Sequence, residues 1–199
     1  MLAACLRFAP PALPIAAFVA AQCLPCPALA QQISIRTTRD GDFVNVSAST
    51  VMQVDPRIAW AVLTDYDHLA KFIPDLTSSR VVSRDGNKVR VEQKGNVGFF
   101  FYREPINVTL ELLEEPPRRI TAKAIEGNIR ALETRYDLQP TDSGLKVDYA
   151  GRFEPDFVIP PLIGMPLVSR LIERRFRAMV EEIQRRDAIA RSAAKQPPK

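Results

Sequence analysis

The chain has 199 residues, 46% hydrophobic and 25% charged, with a formal charge of +4. That length suits one domain with a sizeable core, and the composition excludes a disordered or fibrous chain. The charge is only mildly basic, and there is no arginine block interleaved with aromatics, no helix-turn-helix and no zinc pattern, so no nucleic acid is expected as a partner.

Residues 1–30 read as a secretory signal peptide. Arg7 gives a positive start, residues 13–24 are apolar, and Ala28-Leu29-Ala30 has the small-x-small form of a cleavage site, which places the cut after Ala30. A membrane anchor is the competing reading. Pro10, Pro11, Pro14 and Pro25 interrupt the stretch, which falls short of the ~20 apolar residues a span needs. Neither Cys23 nor Cys26 follows the Leu-small-small run of a lipidated cysteine. Cys5, Cys23 and Cys26 are the only cysteines. The cleaved chain would hold no disulfide and no thiolate site. The expectation is an exported, periplasmic protein that relies on its core.

Residues 31–42 are polar and read as a loose N-terminal arm. Strict alternation over 43–54 predicts a half-buried strand. Asp55 then caps a helix with Pro56 at its first position, where a missing N–H costs nothing. Ile58, Ala59, Trp60, Ala61, Val62 and Leu63 are apolar almost all round, as in a helix buried on several sides. Asp65 and Asp67 break it and offer a second cap. Residues 68–72 make one more turn, and Pro74 stops it.

Strands follow at 77–84, 88–94, 106–112, 119–125, 129–138 and 145–153, seven with the first. Asp85-Gly86-Asn87 and Gly127-Asn128 are hairpin signals. Residues 95–98 read as a glycine turn before the aromatics of 99–102. Short loops between alternating strands predict an antiparallel sheet. Residues 154–166 hold four prolines and cannot be a central strand or a helix interior. Val168, Leu171, Ile172, Phe176, Met179, Val180 and Ile183 recur at helical spacing and predict a last helix over 167–189. Residues 191–199 read as a flexible tail.

The run D-P-R-I-A-W-A-V-L-T-D-Y-D-H-L-A-K-F-I-P-D-L at 55–76 resembles the start of the START-like (SRPBCC) superfamily. It is most similar there to the polyketide cyclase/dehydrase and coenzyme Q-binding START-domain families. The resemblance covers residues 43–186 and implies an α+β helix-grip fold. In that fold a curved antiparallel sheet wraps a long C-terminal helix, two short helices follow the first strand, and an apolar cavity separates sheet from helix. Residues 43–190 would form this ligand-binding domain.

The chemistry-bearing residues are sparse. His68 is the single histidine and reads as a surface residue. With no cysteine in the cleaved chain, no metal site, no cofactor and no catalytic residue are expected. No P-loop, dinucleotide fingerprint or nucleophile elbow appears. Asp65 and Asp67 read as caps and turn formers rather than a catalytic pair. Arg170, Arg174, Arg175, Arg177, Arg185 and Arg186 read as a solvated face balanced by Glu173, Glu181 and Glu182. Attraction of that face to anionic lipid headgroups is the functional alternative.

The cavity implied by the resemblance would be lined by small residues at Ala122 and Ala124, polar groups at Gln93, Thr134, Tyr136 and Tyr149, and Leu171, Phe176 and Met179 of the helix. Small inward residues, including Ala48 and Gly151, could instead let the helix approach closely, and Gln93 could equally sit at a wet strand end. Phe99, Phe100 and Phe101, with Phe157, Ile159 and Leu162, are too apolar for solvated loops and read as a portal that contacts a membrane surface transiently. The expected function is binding or carrying a hydrophobic small molecule or lipid: an isoprenoid quinone, a fatty acid or a phospholipid. The alternatives are a cyclase/dehydrase-type enzyme and a protein-interaction module with a filled core. Oligomeric state is not readable.

Overall fold

The chain divides into two units, Met1–Ala30 and Gln31–Lys199. The computed structural model describes residues 33–99, 102–154 and 164–195, with the backbone alone at 97–99 and 102. Everything below concerns these residues of the second unit.

The strands are β1 (Ser34–Asp40), β2 (Phe43–Met52), β3 (Leu76–Asp85), β4 (Lys88–Phe99), β5 (Tyr102–Glu115), β6 (Arg119–Gly127), β7 (Ala131–Thr141) and β8 (Gly144–Glu154). They form one open antiparallel sheet in the order β1-β2-β8-β7-β6-β5-β4-β3. Between β2 and β3 lie helix α1 (Pro56–Leu63) and a 3₁₀ helix (Tyr66–Lys71); helix α2 (Gly164–Ala194) follows β8. This is the helix-grip arrangement.

Period-two alternation sets the inner face. Val44, Val46, Ala48, Thr50 and Met52 of β2 are all buried, as are Val89 and Val91 of β4 and Leu145 and Val147 of β8. Phe176, Met179, Val180 and Ile183 of α2 close the core from the other side. The outer face carries charges that pair across or along strands, such as Lys123 with Glu111 at 3.2 Å and Arg80 with Glu92 at 2.7 Å.

α1 starts as its sequence dictates. The Asp55 carboxylate accepts the Arg57 N–H at 2.8 Å, and Pro56 occupies the first turn. Ala59, Val62 and Leu63 are its buried face. The second cap is not formed. Asp65 sits at the start of the 3₁₀ helix without a capping bond. Its carboxylate instead meets His68 Nδ1 at 2.7 Å and Arg186 of α2 at 2.8 Å. Asp67 accepts the Val81 N–H of β3 at 2.8 Å. Both acids tie this segment to its neighbours, which binds more surface than a local cap would.

Three further expectations are corrected. The polar arm is a strand: β1 pairs with β2 from Ser34↔Ser49 to Asp40↔Phe43, making eight strands among the described residues. Its Thr37 hydroxyl hydrogen-bonds Ser169 of α2 at 2.9 Å. The turn expected at 95–98 is strand, since the β4–β5 ladder continues to Phe99↔Tyr102. Gly95 is there for close approach. A Cβ on it would press on the Asp75 carbonyl oxygen, which accepts the Asn96 N–H at 2.9 Å. Finally, α2 runs past the expected tail boundary to Ala194, held by the ion pair of Arg191 with Asp187 at 2.6 Å.

Candidate functional site: a cavity between sheet and last helix

A cavity of about 300 Å³ lies between the inner face of the sheet and α2. Its walls are apolar. β5 contributes Ile106, Val108, Leu110 and Leu112; α2 contributes Val168, Leu171, Ile172, Phe176 and Met179; Leu69, Ile73 and Leu76 close the side toward the 3₁₀ helix. The volume exists because inward positions of the middle strands are small. Ala122 on β6 faces Thr134 on β7, which faces Gly151 on β8.

Two tyrosines stand beside this gap. Tyr136 and Tyr149 are directly opposed on β7 and β8, with ring centroids 4.9 Å apart and planes tilted by 47°. Burial pushes both phenols up in pKa, Tyr149 to about 12. Each keeps some accessible surface because it borders the void. Gly151 makes room for Tyr149: a Cβ there would lie 2.7 Å from the Tyr149 hydroxyl. Neither hydroxyl has a hydrogen-bond partner among the described residues.

A third tyrosine, Tyr66, presents its ring to the cavity while its hydroxyl donates to Glu114 at 2.9 Å. Glu114 also accepts from Arg84 at 3.1 Å. It is satisfied on both sides and does not face the cavity. Gln93 lines the cavity and donates to Ser79 at 3.3 Å.

The residue that sequence reasoning misplaced is Arg175. It lines the cavity, and its Nε is buried with no hydrogen-bond partner. Burial pulls its pKa down, while the charge of Asp75 raises it. The Asp75 carboxylate is itself hydrogen-bonded to Arg174. Arg175 therefore does not belong to the solvated face. Helical spacing held the signal: Arg175 lies four residues after Leu171, three after Ile172 and four before Met179, on the apolar stripe. Glu182 and Arg186 also leave that face. Glu182 is buried, accepts from Arg185 and Arg186 at 2.7 Å, and is held at about 2 chiefly by Arg185.

Of the residues expected in the cavity, Gln93, Ala122, Thr134, Tyr136, Tyr149, Leu171, Phe176 and Met179 are brought together there. Ala124 is not among the lining residues; it packs against the core cluster, opposite Leu110 in the β5–β6 ladder. The portal residues Phe100, Phe101, Phe157, Ile159 and Leu162, and the side chain of Phe99, lie outside the described residues. Among the described residues, no group of three or more His, Cys, Asp or Glu could hold a metal ion. No helix among them is long and apolar enough to cross a membrane.

A wider groove of about 660 Å³ lies on the sheet's outer side, lined by Lys88, Glu111, Lys123, Glu133, Arg135 and Arg152. It is open to water, and its charges are largely spent on one another and on neighbouring acids: Lys123 on Glu111 at 3.2 Å, Arg135 on Asp137 at 2.7 Å. The apolar cavity between sheet and α2 is the better ligand site.

A long helix gripped by a curved sheet, with an apolar cavity between them, defines a helix-grip protein that binds a hydrophobic ligand. The family described as polyketide cyclase / dehydrase and lipid transport matches residues 52–180, and the chain belongs to it. No curated protein matches the chain by sequence. Among solved structures it is similar to the ZhuI aromatase/cyclase from Streptomyces sp. R1128, at 14% identity and a TM-score of 0.60 over 82% of this chain and 100% of that one. It is also similar to the STAR-related lipid transfer protein from Xanthomonas axonopodis, at 13% identity and a TM-score of 0.61 over 76% and 93% of the two chains. A Thermus thermophilus protein, TTHA0849, matches at 18% identity and a TM-score of 0.59 over 73% and 98%. At these identities the likeness is one of fold.

Proposed function

We propose that the protein binds and carries a hydrophobic small molecule or lipid, in the chemical range of an isoprenoid quinone, a fatty acid or a phospholipid. The observation that carries this reading is the apolar cavity of about 300 Å³ between sheet and α2, at the lower end of the ~300–1,000 Å³ common for small-molecule sites. Carrying is preferred to cyclase-type catalysis because no carboxylate or imidazole lines the cavity among the described residues. Carboxylates and imidazoles are the commonest groups for acid–base turnover, and the Tyr136 and Tyr149 phenols, pushed up by burial, keep their protons at neutral pH rather than act as bases. Export to the periplasm, with removal of residues 1–30, and transient membrane contact complete the proposal.

The test is to fill the cavity. Ala122→Phe places a ring where Ala122 faces Thr134. Binding of a fluorescent apolar probe should fall by at least about tenfold, while the melting temperature is kept, since the ring fills existing space. Probe binding equal to wild type in a folded variant would overturn the reading. Native mass spectrometry of protein recovered from its own cells then identifies the cargo.

A further inference from the structure

Arg175 is out of place in an apolar cavity. It has no acceptor of its own to offer, only N–H donors. A guanidinium away from water needs an anion or several acceptors beside it. Its Nε finds none among the described residues. Among the described residues the one acid near it, Asp75, is hydrogen-bonded to Arg174 instead. Among the described residues two guanidiniums thus share one carboxylate, which leaves one positive charge over on the cavity side. The tyrosines near Arg175 on the sheet are Tyr136 and Tyr149, whose hydroxyls also lack partners among the described residues. This end of the cavity is therefore rich in donors and cationic, whereas most of the remaining wall is hydrocarbon.

Resting on the carrier reading, we propose that Arg175, with Tyr136 and Tyr149, receives the carboxylate of a monoanionic amphiphile whose apolar body fills the remainder of the cavity. A carboxylate matches the planar fork of arginine with two parallel hydrogen bonds, and its spare lone pairs suit phenol donors. One surplus charge calls for a monoanion rather than a phosphate dianion. A neutral quinone would leave the guanidinium uncompensated. A cavity of about 300 Å³ suits one chain or one small ring system, not the two chains of a phospholipid. The same headgroup chemistry could belong to a fatty acid or to a fused aromatic acid, so both bodies are tested.

The experiment is calorimetric titration at neutral pH with two matched pairs: decanoate against decanol, and naphthoate against naphthol. In wild type the acid of at least one pair should bind about tenfold or more tighter than its neutral partner, the gain expected of a charged hydrogen-bonded contact. Arg175→Met should erase that preference, bringing each acid down to the affinity of its neutral partner, because methionine offers no N–H to a carboxylate. The double variant Tyr136→Phe/Tyr149→Phe should reduce the preference by a smaller factor, and it serves as the readout if Arg175→Met does not fold. The preferred pair tells a flexible chain from a flat ring. Wild type that binds decanol or naphthol without preferring the acid overturns the headgroup site and leaves the carrier reading standing. A preference retained by both variants overturns it as well. Wild type that binds none of the four overturns both.

Discussion

The carboxylate of Asp187, buried on α2, accepts the backbone N–H of Asp55 at 2.8 Å. The residue that caps the first helix is thereby fastened to the last. Asp187 also pairs with Arg191 at 2.6 Å, one turn further on. Asp187→Ala leaves the Asp55 N–H and the Arg191 guanidinium without this acceptor. The expected loss is about 1–3 kcal/mol in urea unfolding. Asp187→Asn keeps one acceptor oxygen and should lose less. Equal losses for the two variants would show that the N–H bond contributes nothing beyond charge.

Three of the four tyrosines have phenols pushed up by burial: Tyr66, where the Glu114 charge adds to the effect, Tyr136, and Tyr149 at about 12. In the unfolded chain each ionises near pH ~10. The unfolded state then releases protons that the folded state retains, so stability is full below about pH 10 and falls as pH rises toward 12. Urea midpoints should be flat from neutral to about pH 9 and decline above about pH 10. Phenolate absorbance from these three should appear with unfolding and not before it.

Glu182 behaves in the opposite direction. Its folded value of about 2, set chiefly by hydrogen bonds from Arg185, lies below the ~4.3 of an unfolded glutamate. The stability it contributes is complete above about pH 4.3 and is lost as pH falls through about 2. Glu182→Gln should lower stability at neutral pH and flatten the acid limb of the curve over that window. An acid limb identical to wild type would remove Glu182 from the account.

Two glycine substitutions separate backbone contact from side-chain contact. Gly95→Ala drives a Cβ into the carbonyl of Asp75, which already stands at a positive φ of 64°. Backbone cannot step aside cheaply there, and a loss of about 2 kcal/mol or more is expected. Gly151→Ala meets only the tip of Tyr149. It should cost under about 1.5 kcal/mol yet move the hydroxyl. Thermal melts should rank Gly95→Ala well below Gly151→Ala, and the reverse order would contradict the packing described.

Much of the fold was legible because local chemistry and global pattern agree in this chain. Asp55-Pro56 pairs a capping acceptor with a first-turn proline ahead of an apolar run, and Asp85-Gly86-Asn87 turns the β3–β4 hairpin as such tripeptides do. Alternation fixed which of Tyr136, Tyr149 and Thr134 share the inner face. β1 was missed because Ile35 and Thr37 are the half-buried inward residues of a strand whose other positions are exposed. Its real signal was Asp40-Gly41, a hairpin dipeptide in front of a clear strand. Arg175 was missed for a different reason. A run of charges on a helix reads as a wet face unless each residue is placed on the wheel, and Arg174 and Arg175, being adjacent, point about 100° apart. Asp65 and Asp67 look like caps locally; only the fold brings Arg186 and Val81 within their reach.

The strand order also dictates when the molecule can come together. β3 to β8 form a continuous meander, each strand pairing with the one made just before it. The β1–β2 hairpin is made first, yet its place in the sheet is beside β8, the strand made last. Until Gly144–Glu154 is in place the hairpin has no edge to dock on, and the loop that docking must close spans most of the domain. Closure of that kind is slow compared with local pairing. Chains stopped short of β8 would carry a stranded hairpin with Val44 and Val46 uncovered. Assembly is thus gated by β8, and a chain in which that strand is not yet placed stays dependent on its surroundings.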